Sequence, residues 1–270
     1  MSRNKVWFEV SSGRFSITYY PRTLLGCLTA LLLMLLLFFG SIFLVIKFYA
    51  VVLPILLRGL GLSLGVGIAL LVTIIFCARL NVPLYLVAIQ QNQVRYELFP
   101  IWLLRAKNLA YRSRFQPHTF VGINIMGGLI PLLLALYQLS RSSPLAILTI
   151  AAIVTLLSYC FVRVVPGVGI FFRPGTLWLM VLITALLALW FGARVGGDSS
   201  LSIAFAGGVI GTLVGADLLH LKEIQPEKAI VPLNIGGAGL NDGIALCGLY
   251  SLLLAEWLPN LVAFLKLEFL

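Results

Sequence analysis

The sequence predicts an all-α membrane protein: a polytopic transmembrane helical bundle of about seven spans, with broken or re-entrant segments and a small N-terminal cytoplasmic β-hairpin. Three observations carry that class. Of the 270 residues 61% are hydrophobic and 10% charged, with a mean hydropathy of +1.07, far outside the range of soluble globular chains. Apolar runs of about 20 residues, the length needed to cross a bilayer's hydrocarbon core, recur along the chain. The basic residues gather in alternate connections between those runs, as the positive-inside tendency requires.

Residues 1–23 form the N-terminal segment. Lys5 to Val10 and Arg14 to Tyr20 alternate in polarity around Ser11-Ser12-Gly13, which predicts a hairpin on the cytoplasmic face. A single transmembrane domain is expected over 24–258. Its spans are Leu24 to Ile46, Leu60 to Ala78, Thr119 to Leu139, Pro144 to Val162, Thr176 to Gly192, Leu201 to Leu221 and Pro232 to Leu258. No small-residue cleavage site follows the first run, so it is expected to stay as an anchor. Val51 to Leu57 and Pro83 to Ile89 are too short to span and each holds a proline, so they read as interfacial or re-entrant pieces. A cytoplasmic loop is expected over 80–118. Its basic residues are interleaved with Tyr96, Phe99, Trp102, Tyr111 and Phe115, the composition of an interfacial belt. The last segment, 259–270, reads as an amphipathic tail with Lys266 and Glu268 among apolar residues.

With the N-terminus inside, 14 of the 19 basic residues fall on the cytoplasmic side and the C-terminus lies on the opposite side. That distribution assigns the net charge of +10 to topology and anionic lipid rather than to nucleic acid. Cys27, Cys77, Cys160 and Cys247 lie within apolar runs at no metal-ligand spacing, so no metal and no cofactor are expected.

The chemistry-bearing residues concentrate in the last third. A carboxylate at bilayer depth costs roughly 2.5–3.5 kcal/mol even on lenient insertion scales, and Asp217 and Asp242 both sit inside apolar runs. Gly207, Gly211 and Gly215 recur at four-residue spacing and predict a close helix contact, with Asp217 and His220 on another face. After Lys222 to Lys228 the chain re-enters as Val231-Pro-Leu-Asn234-Ile-Gly236-Gly237-Ala-Gly239-Leu-Asn241-Asp242-Gly243. Proline followed by three glycines predicts extended or broken backbone to about Gly237, with helix proper from Ala238. Equal depth on adjacent antiparallel helices would let the two carboxyls meet. In a low-dielectric site such a pair shares one proton near neutral pH and titrates as a unit.

That is the arrangement of a diaspartyl hydrolase, with Asp217 and Asp242 catalytic; a proton- or cation-coupled carrier uses the same pair. A third class is a non-catalytic scaffold or complex subunit, in which each carboxylate only accepts bonds from Asn234, Asn241, Asn124 or backbone amides. Asn124, His220, Asn234, Gly236, Gly237, Gly239 and Asn241 are the candidate cavity-lining residues. An echo joins two of them: Asn124-Ile-Met-Gly-Gly128 in the third run resembles Asn234-Ile-Gly-Gly237 at the start of the seventh. Val165-Pro-Gly-Val-Gly-Ile170 is a further candidate for irregular backbone on the same side. The partners expected are membrane lipid and a transmembrane peptide substrate or partner membrane protein.

Asn124 to Pro131, Val165 to Ile170, Gly215-Ala-Asp-Leu-Leu-His220 and Gly236-Gly-Ala-Gly-Leu-Asn-Asp-Gly-Ile244 resemble the signatures of a prokaryotic membrane family, domain of unknown function 1614, over roughly residues 80 to 255. That resemblance implies a bacterial or archaeal inner or internal membrane and supplies no activity. More distantly, the aspartates are similar to those of presenilin-like intramembrane aspartyl proteases, which carry Gly-x-Gly-Asp. Here Leu240-Asn241 intervene between Gly237-Ala-Gly239 and Asp242.

Overall fold

A computed structural model describes residues 24–77, 80–90, 93–98, 118–165, 169–195, 199–221, 223 and 233–268. The expected hairpin before residue 24 lies outside them, as do Phe99, Trp102, Tyr111 and Phe115 of the expected belt. The chain divides into two units, residues 1–53 and 54–270. Within the first, helix α1 (Leu24–Leu60) begins, and side chains such as Leu32, Met34, Leu36 and Phe39 are exposed. Val51 to Leu57 is not a separate piece, because α1 runs through it and through Pro54.

In the second unit α1 ends, the chain turns at Gly61 (φ 62) and enters α2 (Leu64–Cys77). The segments Tyr49–Leu60 and Leu64–Leu70 are bent by 109° across that turn. The described chain is mostly helical, as expected, but it also contains strands. What was expected as a loop from 80 begins as strands β1 (Asn81–Gln90) and β2 (Gln93–Leu98), and the apolar piece Pro83 to Ile89 is the body of β1. Pro83 lies at a register shift between Pro83 and Tyr85, the kind of irregularity to which proline is confined within sheets.

The run Thr119 to Leu139 is likewise not one helix. It opens as strand β3 (His118–Asn124), passes through a π-turn (Ile125–Leu129) and becomes α3 (Ile130–Arg141). Pro131 falls in the first turn of α3, where a proline fits and beyond which it would break the helix. Then come α4 (Pro144–Phe161), the hairpin β4 (Val162–Val165) and β5 (Gly169–Phe172), and α5 (Thr176–Val195). Helix α6 (Ser199–Thr212) continues into a second π-turn (Leu213–Leu218). Strand β6 (Leu233–Ile235), a 3-10 turn (Gly239–Asn241) and α7 (Gly243–Glu268) complete the described chain. The expected tail from Pro259 continues α7 to Glu268.

Four helical segments among the described residues are long and apolar enough to cross a membrane, and a fifth if the bent pair is one span. They are Pro144–Phe161, Thr176–Val195, Ser199–Leu218 and Gly243–Val262, and they mark a membrane protein. Helix α6 is the centre of the bundle: Ile203, Ala204, Ala206 and Val209 are fully buried, and α3, α4, α5 and α7 pack around it. Gly207 meets Ile150, Gly211 meets Val154, and Gly215 meets the Thr155 carbonyl and Ser158, so the four-residue glycine stripe is the α4-facing side, as its spacing predicts.

The strands form a four-stranded sheet in the order β2-β1-β3-β6, with β4–β5 a separate hairpin. Strand β1 is antiparallel to both β2 and β3, whereas β3 and β6 run parallel, Gly122 opposite Asn234 and Ile123 opposite Ile235. The parallel pair therefore launches α3 and α7 from one place.

Candidate functional site

Two strand-to-helix junctions lie side by side where β3 and β6 end. At the first, the Asn124 side-chain oxygen accepts from Met126 N and Gly127 N at 2.9 Å each. Its amide nitrogen donates to Asn81 Oδ1 at 2.9 Å and to Leu80 O at 3.3 Å. Asn124 is buried and uses both ends of its amide. It is the N-cap of the first π-turn, which answers the exposed amides of a helix start.

The second junction begins at Asn234, whose side-chain oxygen lies against Gly122. Its carbonyl accepts from Gly237 N at 3.0 Å, that of Gly236 accepts from Gly239 N at 2.9 Å, and that of Gly239 accepts from Asp242 N at 3.0 Å. Gly236 has φ +71, and a Cβ there would lie 2.5 Å from the Gly127 carbonyl carbon. The two Asn-Ile…Gly-Gly segments thus pack backbone on backbone, so the echo between them marks a contact. Gly237 and Asn241 are exposed, and Gly239 is buried.

Helix α7 starts at Gly243, five residues later than the glycine pattern predicts. The expectation that Asp242 lies about a turn inside that helix is corrected: it is the extended residue before it (φ −73, ψ 146). Its Oδ1 accepts from Ile244 N at 3.1 Å and its Oδ2 from Ala238 N at 3.4 Å. The intervening Leu240-Asn241 wind into a 3-10 turn that brings the Ala238 amide onto the carboxylate. Asp242 is half-buried and sits just outside the Gly243–Val262 span. Burial pushes its carboxyl above the usual carboxylate range, against the pull of those two amides.

Asp217 lies in the second π-turn and is half-buried. Here Leu219 N reaches back five residues to Val214 O at 3.0 Å; such wide turns recur at functional positions in helices. Among the described residues no hydrogen bond to its carboxyl is found.

His220 is buried against α4. Its Nδ1 lies 3.0 Å from Gly215 O and 3.1 Å from Ala216 O. Its ring stacks on Tyr159 of α4, centroids 4.5 Å apart and planes at 25°, because the π-turn alters the angular step that places residue 220. Sequence reasoning missed both Tyr159 and Phe172. The Phe172 ring occupies the room that a Cβ on Gly243 would need, and Val164 and Ile170 of the same hairpin pack on Val121 and Leu233. The β-branched and aromatic run Ile170-Phe171-Phe172, bounded by Gly169 and Pro174, is the signal that could have found the strand. Val165 and Gly169 close it as a β-pair, so the Val165 to Ile170 segment is regular at both described ends.

Among the described residues no group of three or more His, Cys, Asp or Glu is placed to hold a metal ion. A family model described as "Protein of unknown function (DUF1614)" matches residues 75–254. No curated protein and no solved structure matches the chain.

Proposed function

The chain belongs to the family described as Protein of unknown function (DUF1614), and from its site we propose that it is a diaspartyl hydrolase of transmembrane peptides, with Asp217 and Asp242 as its catalytic pair. The observation that carries this reading is the choice of an acid at the second junction. A helix N-cap is served equally by Asn, Ser or Asp, and the neighbouring junction uses a neutral amide. Asp242 instead brings a second carboxyl within electrostatic reach of Asp217, where two charges repel. A purely structural cap has no use for that repulsion.

In the proposed reaction the carboxylate takes a proton from water as the water oxygen bonds to the scissile carbonyl carbon. The protonated partner donates to the carbonyl oxygen, giving a tetrahedral diol. Collapse of the diol breaks the C–N bond, and a proton passes to the leaving nitrogen. The two amides on Asp242, from Ala238 and Ile244, favour its ionised form and suit it to the base role, while Asp217, without a donor of its own among the described residues, suits the acid. We take this end of the bundle as the cytoplasmic one, a reading the basic-residue asymmetry supports.

The test is reconstitution of the purified chain in liposomes with a panel of single-span peptides in water enriched in oxygen-18. Mass spectrometry should find label in a new carboxyl terminus, and Asp217→Asn and Asp242→Asn should each abolish it. Label that survives either substitution, or that never forms with any peptide, sinks the reading.

A further inference from the structure

His220 is one of the chain's two histidines, is 5% exposed, and plays no part in the reaction proposed above. Both groups facing its Nδ1, Gly215 O at 3.0 Å and Ala216 O at 3.1 Å, are carbonyls. A carbonyl only accepts, so Nδ1 must carry the hydrogen.

The two carbonyls belong to the turn that holds Asp217. Because Leu219 N donates to Val214 O, it does not take the Gly215 carbonyl that an α-helical step would give it, and carbonyls near a helix end need another donor. The imidazole supplies it. Tyr159 stacks on the ring from α4, and α4 also meets the Gly215 backbone through the Thr155 carbonyl, so ring and turn are held by the same helix.

We infer that His220 is the positioning residue of Asp217: an imidazole held with a hydrogen on Nδ1, clamped between Tyr159 and the Gly215 and Ala216 carbonyls, that keeps the wide turn open and orients the carboxyl. The inference rests on the reading of Asp217 as a working acid, yet its readouts need no turnover. A hydrolase reading that fails for want of cleavage leaves them unaffected.

In a His118→Gln background His220 is the only histidine, and nitrogen-15 spectra of the labelled chain report its tautomer directly. The expected signature is a protonated Nδ1, whereas a free neutral imidazole in water favours its hydrogen on Nε2. An unprotonated Nδ1, or averaged signals from a freely exchanging ring, overturns the inference. The second readout is the infrared band of the Asp217 carboxyl, assigned by its loss in Asp217→Asn. His220→Asn, whose amide N–H takes the place of Nδ1–H, should keep the band's position, while His220→Leu should shift or broaden it at unchanged helix content. An unmoved band in His220→Leu overturns the role. Should that chain not fold, His220→Gln, whose donor stands one carbon farther out, answers in its place with the same expected shift, and the tautomer of the histidine-bearing chain decides independently.

Discussion

The two strand-to-helix junctions begin alike and end in different chemistry. Each follows a strand of one parallel pair, carries an Asn-Ile segment with adjacent glycines, and presents freed backbone amides to a capping side chain. Asn124, buried, satisfies two amides and spends its own N–H groups on Asn81 and Leu80. Asp242, half-buried, also accepts two amides but has nothing to donate when ionised, and in the proposed reaction it works with a second carboxyl. The lesson is that capping explains the polar residue at both places and the charge at neither. The amide suits a sealed junction, where every donor and acceptor meets a partner; in the proposed reaction the acid suits one that exchanges a proton.

The sharpest way to break that distinction is to exchange the chemistry without the cap. Asp242→Asn keeps an acceptor for Ile244 N, so the folded chain should retain its thermal stability in detergent while hydrolysis falls about 10²–10⁴-fold, the usual yield of a positioned acid or base. Asp217→Asn should lose as much. Equal loss of stability and activity in Asp242→Asn would return Asp242 to a structural role. The converse exchange, Asn124→Asp, removes the donors to Asn81 and Leu80 and leaves a carboxyl in a buried site. A destabilisation of about 2–4 kcal/mol is expected, read as a lower denaturation midpoint, and a neutral outcome would show the two junctions to be interchangeable.

Next in size is the contact between the junctions. A Cβ on Gly127 would collide with the Gly236 carbonyl oxygen and lie 2.6 Å from that of Gly239. Both obstacles are backbone, so relief requires moving one junction against the other. Gly127→Ala should cost about 1–3 kcal/mol, the range of overpacking in a tight interior, and should also disturb hydrolysis because Gly239 leads directly into the Asp242 turn. Gly40, with nothing within 4 Å of its would-be Cβ, is the control position and should tolerate alanine.

This contact also marks where the sequence was readable and where it was not. Long apolar runs announce spans whatever their tertiary neighbours, which is why Pro144–Phe161, Thr176–Val195 and Ser199–Leu218 were legible nearly to their ends. Strand β3 was not, because the alternation of Val121, Ile123 and Ile125 with Gly122 and Asn124 is short and merges with the apolar helix behind it; so brief a run leaves helix and strand ambiguous. The parallel pairing of β3 with β6 joins residues more than a hundred positions apart, and only the Asn-Ile-Gly-Gly echo hinted at it. Asp217 and Asp242 stood out because a charge in an apolar run is conspicuous in any fold. Tyr159 and Phe172, aromatic residues in an aromatic-rich chain, matter through what they touch, and that is written in the packing alone.

The smallest expected effects lie within the Asp242 cap itself. Asp242→Ala removes the acceptor for Ile244 N and Ala238 N and should cost about 0.5–2 kcal/mol, the range for losing a helix cap, with Asp242→Asn recovering most of it. The pH dependence carries the finer information. Because burial raises this carboxyl above its ordinary value of 3.8, the folded chain binds the proton more tightly than the unfolded one. Stability is therefore fullest below the ordinary value and declines as pH climbs from there through the higher folded value, then levels off. A neutral Asn cap has no proton to lose, so the Asp242→Asn chain should lack this part of the decline, measured as midpoint against pH. If the two profiles coincide, ionising Asp242 costs the fold nothing, and its junction is as electrically neutral in practice as the one capped by Asn124.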